Sequence, residues 1–146
     1  MDRTLGYTPA KADPRQFASE ILVARRLFFE GVESVASRDD IRVRTGLLLA
    51  DLAVESLLKT VLRFYEKDIR EGSKFHDLLS AVRTAIPADG PRLDYLGPTV
   101  KPLRSMRNAV MHDGQAQVPE EAQKEVAKAG DAVTRLVRDA FGNDAS

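Results

Sequence analysis

The chain of 146 residues has no cysteine, no tryptophan and only two histidines. Without thiols it can build neither a disulfide framework nor a Cys-ligated zinc site, and thiol chemistry is excluded. Two histidines are too few for a histidine-rich metal site, so neither a metal nor a cofactor is expected. Long hydrophobic runs are missing as well. The longest, Leu47 to Ala50, is broken by Asp51, and Met1 to Asp13 carries no apolar stretch. Neither reaches the roughly 20 residues of a membrane span. A cytoplasmic chain with no membrane partner is therefore expected. A net charge is absent too: 22 basic residues cancel 22 acidic ones, which excludes a generic polyanion-coating protein. The six Phe and three Tyr fall mostly at core spacings and leave no aromatic stacking platform. No Gly-rich phosphate loop, zinc signature or nucleophile elbow occurs.

What is present is the composition of one soluble domain, 43% hydrophobic and 30% charged, long enough to bury roughly two-thirds of its unfolded surface. Residues 1–12 read as a flexible arm, 13–141 as a single helical domain and 142–146 as a tail. Asp13-Pro14 opens a first helix, because Asp accepts from orphan amides and Pro has no amide to waste there. Phe17, Ile21, Ala24, Phe28, Val32 and Val35 follow at helical spacing. Leu22 and Phe29 form a second apolar edge, for core or subunit contact. Asp39 and Asp40 open a second helix, expected to run to about Lys67. Between Leu47 and Leu62 it is apolar almost all round except for a stripe at Asp51, Glu55, Lys59 and Arg63, the pattern of the buried centre of a bundle.

After Gly72-Ser73 a short helix is expected from Lys74 to Ile86, ended by Pro87. Asp89-Gly90-Pro91 and Gly97-Pro98 mark a loop. A fourth helix runs from Pro98 to about Met111 and stops at Gly114, a natural left-handed terminator. Pro119, Glu120 and Glu121 open the fifth, with its seam at Ala122, Val126, Ala129, Val133, Leu136 and Ala140. No strand pattern competes, so the expected fold is all-α, a bundle of about five helices.

The balanced charge is unevenly distributed. Arg92 to His112 carries Arg92, Lys101, Arg104 and Arg107 against Asp94 alone, whereas Asp113 to Ser146 carries four basic and seven acidic residues. An anion belongs at the first segment. There the apolar face of the fourth helix comprises Val100, Leu103, Met106 and Val110, and Arg107 falls within it. A guanidinium cannot shed its proton, so it must meet an anion: Asp51 or Glu55 in a structural pair, or a phosphate. Arg104, Asn108 and His112 share a second stripe at i, i+4 and i+8. His112 ends the helix, where the macrodipole favours an imidazolium. It is either a surface cap or a proton-transfer group. Asp51 and Glu55 read as supporting acids rather than a catalytic dyad, because Lys59 follows at the next i+4 step. His76, beside Phe75, reads as structural.

Arg107-Asn108-Ala109-Val110-Met111-His112 resembles the Arg, polar residue, several residues, His signature of the HEPN superfamily (higher eukaryotes and prokaryotes nucleotide-binding domains). Leu103 to Gly114 looks like that family's signature helix, and Thr45 to Leu62 like its apolar helix ending in a Glu-x-x-x-Lys step. Lys74 to Leu79 is similar to the short helix between them. The resemblance spans roughly residues 15 to 140.

It implies metal-independent RNA cleavage at a site shared by two subunits. Arg107 would bind the phosphate, His112 would take the ribose 2′-OH proton and Asn108 would orient one of them, while Arg104 and Lys101 contact RNA. Arg107 and His112 lie about 140° apart on an ideal helix, so they converge most easily if the helix frays at Met111 or a second chain contributes. A homodimer with RNA as substrate follows, in prokaryotic stress response or anti-phage defence, with an antitoxin or defence-system protein as a further partner. Some toxin members carry a Tyr two positions after the His as a nucleotide-transfer target. Here that position is Gly114, which removes this form of control. The family also holds modules without nuclease activity, which bind nucleotide, RNA or a protein.

Overall fold

A computed structural model describes residues 14–70, 72–87, 90 and 92–142. A 3₁₀ turn, Pro14–Phe17, leads into α1 (Ala18–Ala36), followed by α2 (Asp40–Phe64), α3 (Phe75–Ala85), α4 (Leu96–Asp113) and α5 (Pro119–Phe141). The fold is an all-α bundle of five helices, with no strand among the described residues. None of these helices is long and apolar enough to cross a membrane. The expected arm at 1–12, the Asp13 cap, Asp89 and Pro91 of the loop, and 143–146 of the expected tail lie outside the described residues.

Local chemistry sets the boundaries. The Asp39 carboxylate accepts from the Arg42 amide at 3.3 Å and caps α2. That helix ends at Phe64 rather than about Lys67, because Glu66 takes a left-handed φ of 57° and the Lys67 amide turns back to the Leu62 carbonyl at 2.8 Å. At the start of α3 the Lys74 amide donates to the Asp77 carboxylate at 3.3 Å. Helix α4 begins two residues before the expected Pro98, since proline is tolerated in a first turn and Leu96 and Gly97 are both buried there. It does not fray at Met111. It continues through Asp113 to Gly114, whose φ of 63° is the left-handed conformation that a side chain makes costly. Arg44 of α2 donates to the Gly114 carbonyl at 3.1 Å and pins this end.

Helix α2 is the centre, with Val43, Leu47, Ala50, Leu57, Leu58 and Val61 sealed from solvent. Its most extensive contact is with α1. There the two backbones meet glycine to glycine. A Cβ on Gly46 would sit 2.7 Å from the Gly31 carbonyl oxygen and 2.5 Å from a Val35 methyl. Ile21, Ala24, Phe28 and Val35 form the buried stripe of α1, whereas Val32, expected in it, is exposed together with Leu22 and Phe29. Val32 steps off because the stripe follows the α2 crossing through Gly31 and Val35. At the other end of α2, Phe17, Phe64, Tyr65 and Phe141 stack edge to face, and the Tyr65 hydroxyl donates to the Ala140 carbonyl at 2.7 Å. Tyr95, before α4, donates to Asp139 of α5 at 3.0 Å.

Candidate functional site

Where α2 meets α4, the Asp51–Glu55 part of the expected polar stripe becomes a charged seam. Asp51 is only 2% exposed, one of two buried polar or charged side chains among the described residues. Both arginines of α4 reach it. The Arg104 Nε lies 3.2 Å from one Asp51 oxygen and the Arg107 Nε 3.5 Å from the other. Arg104 also donates to Glu55 at 2.7 Å, and Glu55 in turn holds Lys59 at 3.2 Å. Beneath the Arg104 guanidinium, at 4.1 Å, lies the ring of Phe75, a cation–π contact that fixes its plane.

The electrostatics of the two acids differ. Burial pushes the Asp51 carboxyl above the ordinary aspartate range, and the nearby Arg104 and Arg107 only partly offset it. For Glu55, burial alone would also raise the carboxyl, but hydrogen bonds from Arg104 and Lys59 outweigh it and hold the group below its usual value. The Asp51 Oδ1 and Arg104 Nε, although at ion-pair distance, make no hydrogen bond. Their attraction is coulombic and badly aligned, so Asp51 is charged at a desolvation cost that its neighbours do not fully repay.

Of the expected site residues, the structure brings Arg104, Arg107, Asp51 and Glu55 together. Arg104 does not project outward with Asn108 and His112 as the i, i+4, i+8 stripe predicts. Its side chain is 16% exposed, against 28% for Arg107, because Phe75 and two acids draw it in. Arg107 is the arginine with reach to spare. Its Nε faces Asp51 while its Nη1 donates to the Asn108 side chain at 3.0 Å, so Asn108 orients it. His112 and Lys101 are exposed, and neither makes a hydrogen bond or ion pair with a described residue. The exposed His76 lies 3.3 Å from Asp77.

Two features were not drawn from the sequence. Phe75 as a platform for Arg104 depends on a contact across 29 positions in the chain. Ile41, Leu52 and Met111, on the two helices of the seam, are exposed apolar side chains; the break in an otherwise polar face is their only sequence signal. No family model matches the chain, and neither does any curated protein or solved structure.

Proposed function

We propose that this chain is a metal-independent endoribonuclease of HEPN type that works as a homodimer, in prokaryotic stress response or defence. One observation carries the reading. Arg107 is anchored at a buried carboxylate and oriented by Asn108, yet keeps 28% of its side chain exposed, on the same unbroken helix as an exposed His112. An arginine so held is preorganised for an anion. Because α4 stays helical through Asp113, one chain presents Arg107 and His112 about 140° apart. A shared site therefore needs a second α4, and the exposed Ile41, Leu52 and Met111, with Leu22 and Phe29 on α1, supply apolar surface for pairing.

In this mechanism His112 takes the proton of a ribose 2′-OH. The 2′-oxygen forms a bond to phosphorus, the bond to the 5′-oxygen breaks, and the departing oxygen takes a proton from solvent. Arg107 stabilises the charge developing on the phosphoryl oxygens. DNA, which has no 2′-OH, is not cut. Among the described residues no group of three or more His, Asp or Glu side chains is arranged to hold a metal ion, so cleavage is expected to persist in excess EDTA.

The second reading is a binding module without catalysis. It is favoured by the lack of any described partner that orients His112. Cleavage of single-stranded RNA in EDTA separates the two. The expected products carry 2′,3′-cyclic phosphate. His112→Ala is expected to slow cleavage about 10²–10⁴-fold with affinity nearly intact, and a wild-type rate in that variant removes the residue assignment. RNA binding without any cleavage establishes the module reading.

A further inference from the structure

The polar stripe of α2 continues past the seam. Beyond Glu55 it reaches Lys59 and then Arg63, and here the chain that links α2 to α3 folds back against it. Glu66 and Gly72, both at positive φ, shape this link. The Ser73 amide and hydroxyl both donate to the Arg70 carbonyl, at 3.1 and 2.7 Å, and the half-buried Ile69 packs on the core. The result is a cleft of about 530 Å³ lined by Lys59, Arg63, Ile69, Arg70, Gly72 and Ser73. Three cations line it, and among the described residues no carboxylate does.

The acids that pair with two of these cations approach from outside the cleft. Glu55 meets Lys59 from the α4 side, leaving the ammonium further donors. Glu20 of α1 takes only the Nη2 of Arg63, so its Nε and Nη1 have no partner among the described residues. The Arg70 side chain meets none of them. Donors thus converge on a cleft whose one apolar wall, Ile69, suits a sugar or base. The cleft is also tied to the candidate site. Arg107, Asp51, Arg104, Glu55 and Lys59 form an unbroken series of ionic contacts, and Phe75, under Arg104, begins α3 two residues after Ser73.

We propose that this cleft is a second phosphate-binding site for single-stranded RNA, several nucleotides along the strand from the phosphate held by Arg107. The assignment rests on the ribonuclease reading for its strand but not for its chemistry. At about 1.5 Å of rise per residue, Lys59 and Arg63 lie about 12 and 18 Å along α2 from Asp51. A stacked strand advancing about 3.4 Å per nucleotide covers that in four or five steps. A trinucleotide cannot occupy both places, whereas a 12-mer can.

Fluorescence anisotropy with labelled RNA 3-mers and 12-mers, in a His112→Ala background so that the strand survives, tests this. Arg70→Glu is expected to weaken the 12-mer about 10-fold and to reduce the slope of log affinity against log salt by about 0.7, the loss of one phosphate contact. The 3-mer is expected to bind unchanged. Arg70→Lys should retain most of the 12-mer affinity, and Lys128→Glu, on α5, should have little effect. Arg70 is exposed, and unchanged circular dichroism verifies that its variants fold. Equal 12-mer affinity in Arg70→Glu and its parent overturns the proposal. So do equal losses in Arg70→Glu and Lys128→Glu, and so does 5′-AMP binding that depends on Arg70 where 12-mer binding does not. RNA that is cut normally by Arg70→Glu with unaltered affinity removes this cleft and leaves the ribonuclease; Arg70-dependent binding without cleavage by wild type does the reverse.

Discussion

Helix α2 meets α1 and α4 with two opposite kinds of surface. Where it crosses α1 it is bare: Gly46 opposes Gly31, and the backbones approach so closely that there is no room for a methyl group. Against α4 it is charged, with Asp51 buried between two arginines and Glu55 beside them. At that crossing the first interface gains dispersion contact and leaves few polar groups to satisfy; its polar contacts, from Thr60 and Arg63 to Glu20, lie at the far end. The second buries charge, and a buried ion pair returns little net stability. Its value lies elsewhere, in holding a guanidinium in one place. The difference teaches that the bundle is held where it is apolar, and that the chemistry sits where stability is spent.

The contrast breaks most severely at the glycines. In Gly46→Ala the new methyl meets backbone on one side and a β-branched side chain on the other, neither of which can rotate away. Overpacking at a site that rigid is expected to cost about 3 kcal/mol or more, lowering the midpoint of thermal unfolding by about 6–12 °C for a chain of this size. Gly114→Ala, at a helix end with open space around its Cβ position, is expected to cost about 1 kcal/mol, from the left-handed backbone alone. Thermal denaturation of the two variants checks the ratio. Equal losses would mean that the α1–α2 crossing is looser than described.

The next largest effect separates the two arginines. Arg104→Ala leaves Asp51 buried with one distant partner and strips the Phe75 ring, and is expected to cost about 3 kcal/mol. Arg107→Ala leaves Asp51 its nearer partner, and is expected to cost about 1 kcal/mol while abolishing most RNA cleavage. Calorimetry together with a cleavage assay reads both. If Arg107→Ala proves the more destabilising, Arg107 is the structural clamp and Arg104 the ligand.

Much of this was legible in the sequence, for reasons that can be named. Helix content, the buried α2 and the α5 seam follow from spacing, which depends on residues close in the chain. Gly114 as the end of α4 follows from one residue's backbone freedom. Of the two acids offered to Arg107, Asp51 does meet it, because a carboxylate on an apolar helix has few other fates, whereas Glu55 goes to Arg104. What spacing could not supply was which arginine turns inward. Arg104 and Arg107 are three positions apart on one helix, and Phe75, brought in by α3, together with Glu55 decides between them. Val32 was misplaced for a related reason: the crossing with α2, set by two glycines, tilts the buried stripe of α1 away from it. Glu66 ended α2 early through a left-handed conformation that its residue type does not announce.

The smallest effect concerns pH, and it tests the seam without breaking it. Asp51 has its carboxyl raised above 3.8, chiefly by burial, so on acidification the native chain takes up this proton before the unfolded chain does. Stability from this group therefore grows as pH falls through the window that opens upward from 3.8. Glu55 has its carboxyl lowered below 4.5, its burial outweighed by Arg104 and Lys59. Its contribution is present above 4.5 and is lost as pH falls below it. The two neighbours thus pull the acid limb of the stability curve in opposite directions. Between pH 7 and pH 4, each midpoint taken relative to its own value at pH 7, Asp51→Asn is expected to lose more than wild type and Glu55→Gln less. Removing Glu55 also lowers the Asp51 carboxyl somewhat, but that is the weakest of the influences on Asp51 and does not reverse the sign. Parallel curves for all three proteins would show that neither carboxyl differs between the native and unfolded chains. In that case the seam is open to water, and Arg107 is not held by a buried charge.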